Sequence, residues 1–134
     1  MASSSPKSFM GPAFVALAVV QAIQGLVLAL APGTSYDKFA NFGPRSDHNL
    51  RDAATFYLAT ALALALAVRR PSWRVPVLVV CTAQYVLHGL NHVIDSGKAS
   101  PGWIGPADAA SLLVGAGVLG WLLVIAMREE RLGR

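Results

Sequence analysis

Charge is scarce in this chain. Lys, Arg, Asp and Glu make up 13% of its 134 residues, against about 25% in an ordinary soluble domain. With 54% apolar residues, that shortage excludes a typical water-soluble globule. Cysteine is almost absent too. Cys81 stands alone, so no disulfide framework and no C-x-x-C redox or zinc pair can form; its mid-segment position suits a small core residue. Acidic residues number seven against eleven basic ones, a formal charge of +4. Such an excess can signal nucleic acid, but the basic residues sit at the ends of apolar runs and build no basic face interleaved with aromatics. Nucleic acid is not an expected partner; the lipid bilayer is.

What the sequence does contain is four apolar runs, near residues 10–31, 51–69, 74–95 and 106–127. Each is long enough to cross a hydrocarbon core as a helix, which takes about 20 residues. Ala and Leu fill almost every position from Ala59 to Ala67, and Pro12, Pro76 and Pro106 fall near helix starts, where a missing N–H costs little. A cleaved signal peptide is the competing reading of the first run: Lys7 gives a weak positive start, and Ala29-Leu30-Ala31 resembles a cleavage site. Pro32 directly after that site, and Gln21 and Gln24 within a long run, favour a retained span.

Counting Lys and Arg on each side sets the orientation. One side holds seven, namely Lys7, Arg69, Arg70, Arg74, Arg128, Arg131 and Arg134. The other holds four, Lys38, Arg45, Arg51 and Lys98, offset by Asp37, Asp47, Asp52, Asp95 and Asp108. Both termini are therefore expected in the cytoplasm and the protein in the plasma membrane. Trp73 suits the inner interface, Trp103 and Tyr36 the outer one.

The third run carries what a membrane helix normally excludes. Gln84, His88, Asn91, His92 and Asp95 recur at spacings of three and four and so share one helical face. Ionisable groups in a span are costly, and the default reading is a functional site facing the bundle interior. At about 1.5 Å rise per residue, His92 lies roughly 5 Å from Asp95 along the axis, His88 about 10 Å and Gln84 about 16 Å. Gln21 and Gln24 occupy comparable depth on the first helix. The second opens with His48-Asn49-Leu50-Arg51-Asp52, with Thr55 on the face of Arg51 and Asp52. These groups are expected to converge on an outward-facing pocket.

Each element also has a structural reading. Asp52 and Asp108, placed in the first turns of their helices, complement the helix dipole. His88 and His92 can be interhelical hydrogen-bonding contacts. A metal is the sharpest alternative, since histidines four apart can share one ion from one helical face. Gly89, Leu90 and Asn91 between them supply no Glu general base, and His48 or Asp95 would have to complete the ligand set. Haem would need His48 or another residue as second axial partner. No cofactor is assigned.

The segment from Pro32 to Leu50 reads as an outer loop whose Tyr36, Phe39 and Phe42 either anchor in the interface or lid the pocket. On the inner side, Arg69, Arg70 and Arg74 can meet anionic lipid, and Arg128 to Arg134 form a short charged tail. Small-residue ridges at Ala59, Ala63 and Ala67, at Ser111 and Gly115, and at Ala116 and Gly120 favour close helix contact, within the bundle or between protomers. A recurring pattern is also visible. Ile23-Gln24-Gly25-Leu26 with Gly33 matches Leu87-His88-Gly89-Leu90 with Gly97, and Asp52-Ala53-Ala54-Thr55 matches Asp108-Ala109-Ala110-Ser111. Parallel 2+2 repeats and coincidence in Ala- and Leu-rich sequence both account for it. Under the first, Gln24 matches His88 and Asp52 matches Asp108.

The stretch His48-x-Leu50-Arg51-Asp52-x-x-x-x-Tyr57-Leu58, with the later His88-x-x-Asn91-His92, resembles a group of small four-helix membrane proteins from actinobacteria, distantly similar to DoxX-type proteins. The resemblance runs from the second helix onward and implies a four-helix bundle in the plasma membrane. The group has no settled activity to transfer. DoxX-type relatives suggest association with respiratory or oxidative-stress complexes, but no cofactor motif accompanies that suggestion here.

The expectation is an all-α, four-helix transmembrane bundle forming one domain. Its pocket of Gln24, His48, Arg51, Asp52, Gln84, His88, Asn91, His92 and Asp95 would bind a small polar ligand, lipid headgroup or ion, with Arg51 favouring anions. A structural accessory subunit, in a homo-oligomer or a larger membrane complex, is the alternative. A membrane enzyme using His88 or His92 as acid and base is the third reading.

Overall fold

The computed structural model describes residues 9–133; Lys7 and Arg134, counted above for orientation, lie outside them. The described chain is all α, in the order α1 (Met10–Leu30), α2 (Pro32–Phe39), α3 (Asp47–Arg69), α4 (Arg74–Asp95) and α5 (Ile104–Leu132). Single 3-10 turns precede and follow α4. Apart from α2, each helix is long and apolar enough to cross a membrane, which makes this a multi-pass membrane protein.

Local chemistry sets the ends. Pro12, Pro76 and Pro106 each occupy the first turn of their helix, where no intrahelical donor is lost. α3 starts four residues before the apolar run because Ser46 caps it, accepting from the Asn49 N–H at 3.3 Å, with Asp47 in the first turn. The segment read as an outer loop contains α2, opened by Pro32. α5 begins at Ile104, not 106, and runs on to Leu132 through its charged end.

Packing is strongest within two pairs, α1 with α3 and α4 with α5. Glycine permits the close approach in each. A Cβ on Gly25 would lie 2.7 Å from Leu58 Cγ, one on Gly89 would lie 3.0 Å from Leu113 Cδ2, and one on Gly115 would lie 2.9 Å from the Tyr85 ring. The Gly115 end of the small-residue ridge is thus used inside the bundle. The pairs are joined by a core cluster that includes Met10, Phe14, Leu64, Leu78, Leu119 and Leu122, and by a 2.7 Å hydrogen bond from Gln21 Nε2 on α1 to Tyr85 Oη on α4. Only 17–33% of each helix's most apolar window is buried, so most apolar surface is left for lipid. The core occupies the end where α1 and α4 start and α3 and α5 finish. At the other end the four helices leave space between them.

Candidate functional site

That space is a cavity of about 650 Å³. Residues from α1 (Gln24, Leu28), α3 (Leu50, Ala53, Tyr57), α4 (His88, Asn91, His92, Asp95) and α5 (Asp108, Ser111, Leu112) line it, under a roof of Phe39, Ala40 and Phe42. The roof is tied down. Ser100 N–H donates to Asn41 O at 3.1 Å, and Tyr36 Oη donates to Gly43 O. Gly43 has φ +113°, a conformation that glycine adopts without steric cost. Outside the spans, Arg45 grips Asp47 at 2.6 Å, and that hydrogen bond and charge raise the guanidinium above its ordinary pKa. Phe42 packs edge-on against the His92 ring, 4.6 Å between centroids.

A connected row of polar groups forms one wall. Gln84 Nε2 lies 3.4 Å from His88 Nδ1, and the Nε2 atoms of His88 and His92 are 3.0 Å apart. His92 Nδ1 is buried without a hydrogen-bond partner and faces Asp108 Oδ2 at 4.0 Å. One N···N contact holds one proton, so the orientation of the Gln84 amide sets the tautomers along the row. With the Gln84 amide donating to Nδ1, His88 carries its proton on Nε2 and donates it to His92 Nε2. His92 then carries its own proton on Nδ1, aimed at the Asp108 carboxylate. In that arrangement both rings are neutral, and the row points an N–H at Asp108.

The cavity gathers Gln24, His88, Asn91, His92 and Asp95 from the expected set. Gln84 does not line it but supports it through His88. His48, Arg51 and Asp52 are placed elsewhere. His48 pairs with Asp52 at 3.4 Å on the outside, with side chains 84% and 65% exposed, and Arg51 is exposed and absent from the lining. Packing explains this: α3 turns Ala54, Tyr57, Ala61 and Leu64 inward, which carries Arg51, Asp52 and Thr55 to the other face. An anion-selecting role for Arg51 in the cavity falls with that placement. His48 also cannot join His88 and His92 around one ion, and no group of three or more His, Cys, Asp or Glu suited to a metal occurs among the described residues.

Asp108 and Tyr57 are the residues the sequence undervalued. A helix starting at 106 puts Asp108 in the first turn as a dipole partner; the start at Ile104, two residues earlier, puts it just past the first turn, where no acid remains. It faces His92 instead. The signal available was its match with Asp52 in the recurring Asp-Ala-Ala pattern. Tyr57 entered only through the motif His48-x-Leu50-Arg51-Asp52-x-x-x-x-Tyr57-Leu58, with no place in the expected pocket.

Comparison with protein-family models, with curated proteins and with solved structures gives no match to this chain.

Proposed function

We propose that this protein sits in the plasma membrane with both termini in the cytoplasm and holds a small amphipathic ligand in the cavity at its outer end. The observation carrying this reading is the cavity itself. Its volume of about 650 Å³ falls in the usual range for ligand sites, about 300–1,000 Å³. Mostly apolar walls converge there with one organised polar row, the composition of a site that holds an apolar body and orients a hydrogen-bonding head.

Orientation rests on the positive-inside bias. Arg69, Arg70, Arg74, Arg128 and Arg131 cluster at the core end, while Lys38, Arg45, Arg51 and Lys98 lie at the cavity end. Two of those four are paired, Arg45 with Asp47 and Lys98 with Asp95. The same proposal takes the helix pairs as parallel repeats. Gly25 and Gly89 both mark close helix approach, and Gln24 and His88 both line the cavity. Asp52 has diverged outward from Asp108.

The test is native mass spectrometry of protein purified in neutral detergent. The wild type should carry a copurifying small-molecule adduct. His88→Asn with His92→Asn, and separately Ala53→Trp, which fills the cavity, should lose it while keeping wild-type helicity. An adduct that survives both changes sinks the proposal.

A further inference from the structure

The cavity has a sign. α1, the roof and α3 contribute no charged side chain to its lining, and the titratable group from α3 is the Tyr57 phenol. α4 contributes His88, His92 and Asp95, and α5 contributes Asp108. Among the described residues no Lys or Arg lines it. Asp95 is neutralised from outside by Lys98, whose Nζ is 2.7 Å away on a side chain 68% exposed. Asp108 has no such counter-ion among the described residues: its side chain is 28% exposed, and the nearest basic group is His92 Nδ1 at 4.0 Å. With the Gln84 amide donating to His88, the histidine row is neutral and presents only an N–H dipole there. A half-buried carboxylate among apolar walls without a fixed cation is unfavourable, and a positive group in the cavity relieves it.

The remaining lining narrows the kind of cation. Metal ions require several oxygen or nitrogen ligands close together, whereas here no group of three suitable side chains occurs among the described residues. Three aromatic rings, Phe39, Phe42 and Tyr57, share the lining with Asp108, and aromatic faces attract desolvated ammonium groups. We propose that the cavity binds a lipophilic organic cation, an ammonium group carried on an apolar body, with Asp108 as its counter-charge and the aromatic rings packed around it. This rests on the ligand-binding reading and adds the chemical class. A proton competes for the same carboxylate. A proton on Asp108 removes the counter-charge, with Asp95, His88, His92 and Tyr57 the other titratable groups of the lining, so binding weakens as pH falls.

Three probes of similar shape separate the possibilities by calorimetry in neutral detergent: benzyltrimethylammonium, its uncharged isostere neopentylbenzene, and benzenesulfonate. The cation should bind at least about tenfold tighter than either other probe, a difference of about 1.4 kcal/mol, and more weakly at pH 5 than at pH 7.5. Asp108→Asn should remove the cation preference and leave neopentylbenzene within about twofold. Phe42→Leu, which leaves the charge and the α5 start untouched, should weaken the cation about threefold or more, from the usual size of a cation–π contact. Equal binding of cation and isostere, or preference for benzenesulfonate, overturns the cation assignment alone. Failure of all three probes, with a copurifying adduct still lost on His88 and His92 substitution, does the same. Failure of the probes together with absence of any adduct overturns the ligand-binding reading as well.

Discussion

Removing one oxygen atom tests how the two helix pairs are held together. Gln21 is 3% exposed; its Nε2 donates to Tyr85 Oη at 2.7 Å, and its Oε1 is buried with no partner. Tyr85→Phe keeps the ring that packs against Gly115 and leaves both ends of the Gln21 amide unpaired. Interhelical hydrogen bonds in membranes contribute about 0.6 kcal/mol on average, up to about 1.7, and an orphaned buried amide costs about 1–3. The bond is short and its donor deeply buried, so Tyr85→Phe should cost about 1–2 kcal/mol. Gln21→Leu removes the already unpartnered Oε1 with the donor and should cost under about 1 kcal/mol, because no orphaned amide remains. The double variant should then cost less than the sum, with a coupling of about 1 kcal/mol. Equilibrium unfolding in mixed micelles with a denaturing detergent, followed by far-UV circular dichroism, measures all four corners of the cycle. Single costs that add to within about 0.3 kcal/mol would falsify the claim that this bond ties the pairs together.

Glycine substitutions should sort by contact: Gly25→Ala, meeting Leu58 N at 3.1 Å as well as its side chain, should cost about 1–3 kcal/mol by overpacking in the same unfolding assay, whereas Gly117→Ala, with nothing within 4 Å, should not destabilise. Gly105→Ala should be the most damaging of the glycine changes, since its Cβ would lie 2.0 Å from the Ser96 carbonyl oxygen, a backbone atom that cannot rotate away; loss of the monodisperse peak in size-exclusion chromatography reports it. Asp52→Asn and His48→Asn should each change stability by less than about 0.5 kcal/mol and leave the copurifying adduct in place, in contrast to His88 and His92. Arg74→Gln, removing the guanidinium 3.4 Å from Glu129 Oε2 and 5.9 Å from the Phe14 ring, should destabilise by about 1–2 kcal/mol and leave adduct retention unchanged, because Arg74 sits at the core end.

Helix ends show where sequence reading was accurate and where it slipped. The start of α4 and the ends of α1, α3 and α4 follow hydropathy to within a residue, because apolar length is a local property. The starts of α3 and α5 were displaced by a serine cap and by a first turn that precedes Pro106. Capping depends on one side-chain hydrogen bond, which composition does not register. The displacement of α5 is small in length but decisive in chemistry, because it moved Asp108 from the helix end to the cavity wall.

The sequence alone determined that the chain is helical, that four of its segments can span a bilayer, and that α4 presents one polar face from Gln84 to Asp95. Those properties depend on composition and on a period of 3.6 residues, both legible along a single segment. Tertiary structure decided which polar groups meet. The rotation of α3 about its axis is set by the fit of Ala54, Tyr57 and Ala61 into the bundle, and that fit turned His48, Arg51 and Asp52 outward. Asp108 and the Phe42 ring came to the histidines instead. Rotation of one helix against another is a property of the packed interface, so no segment read by itself contains it.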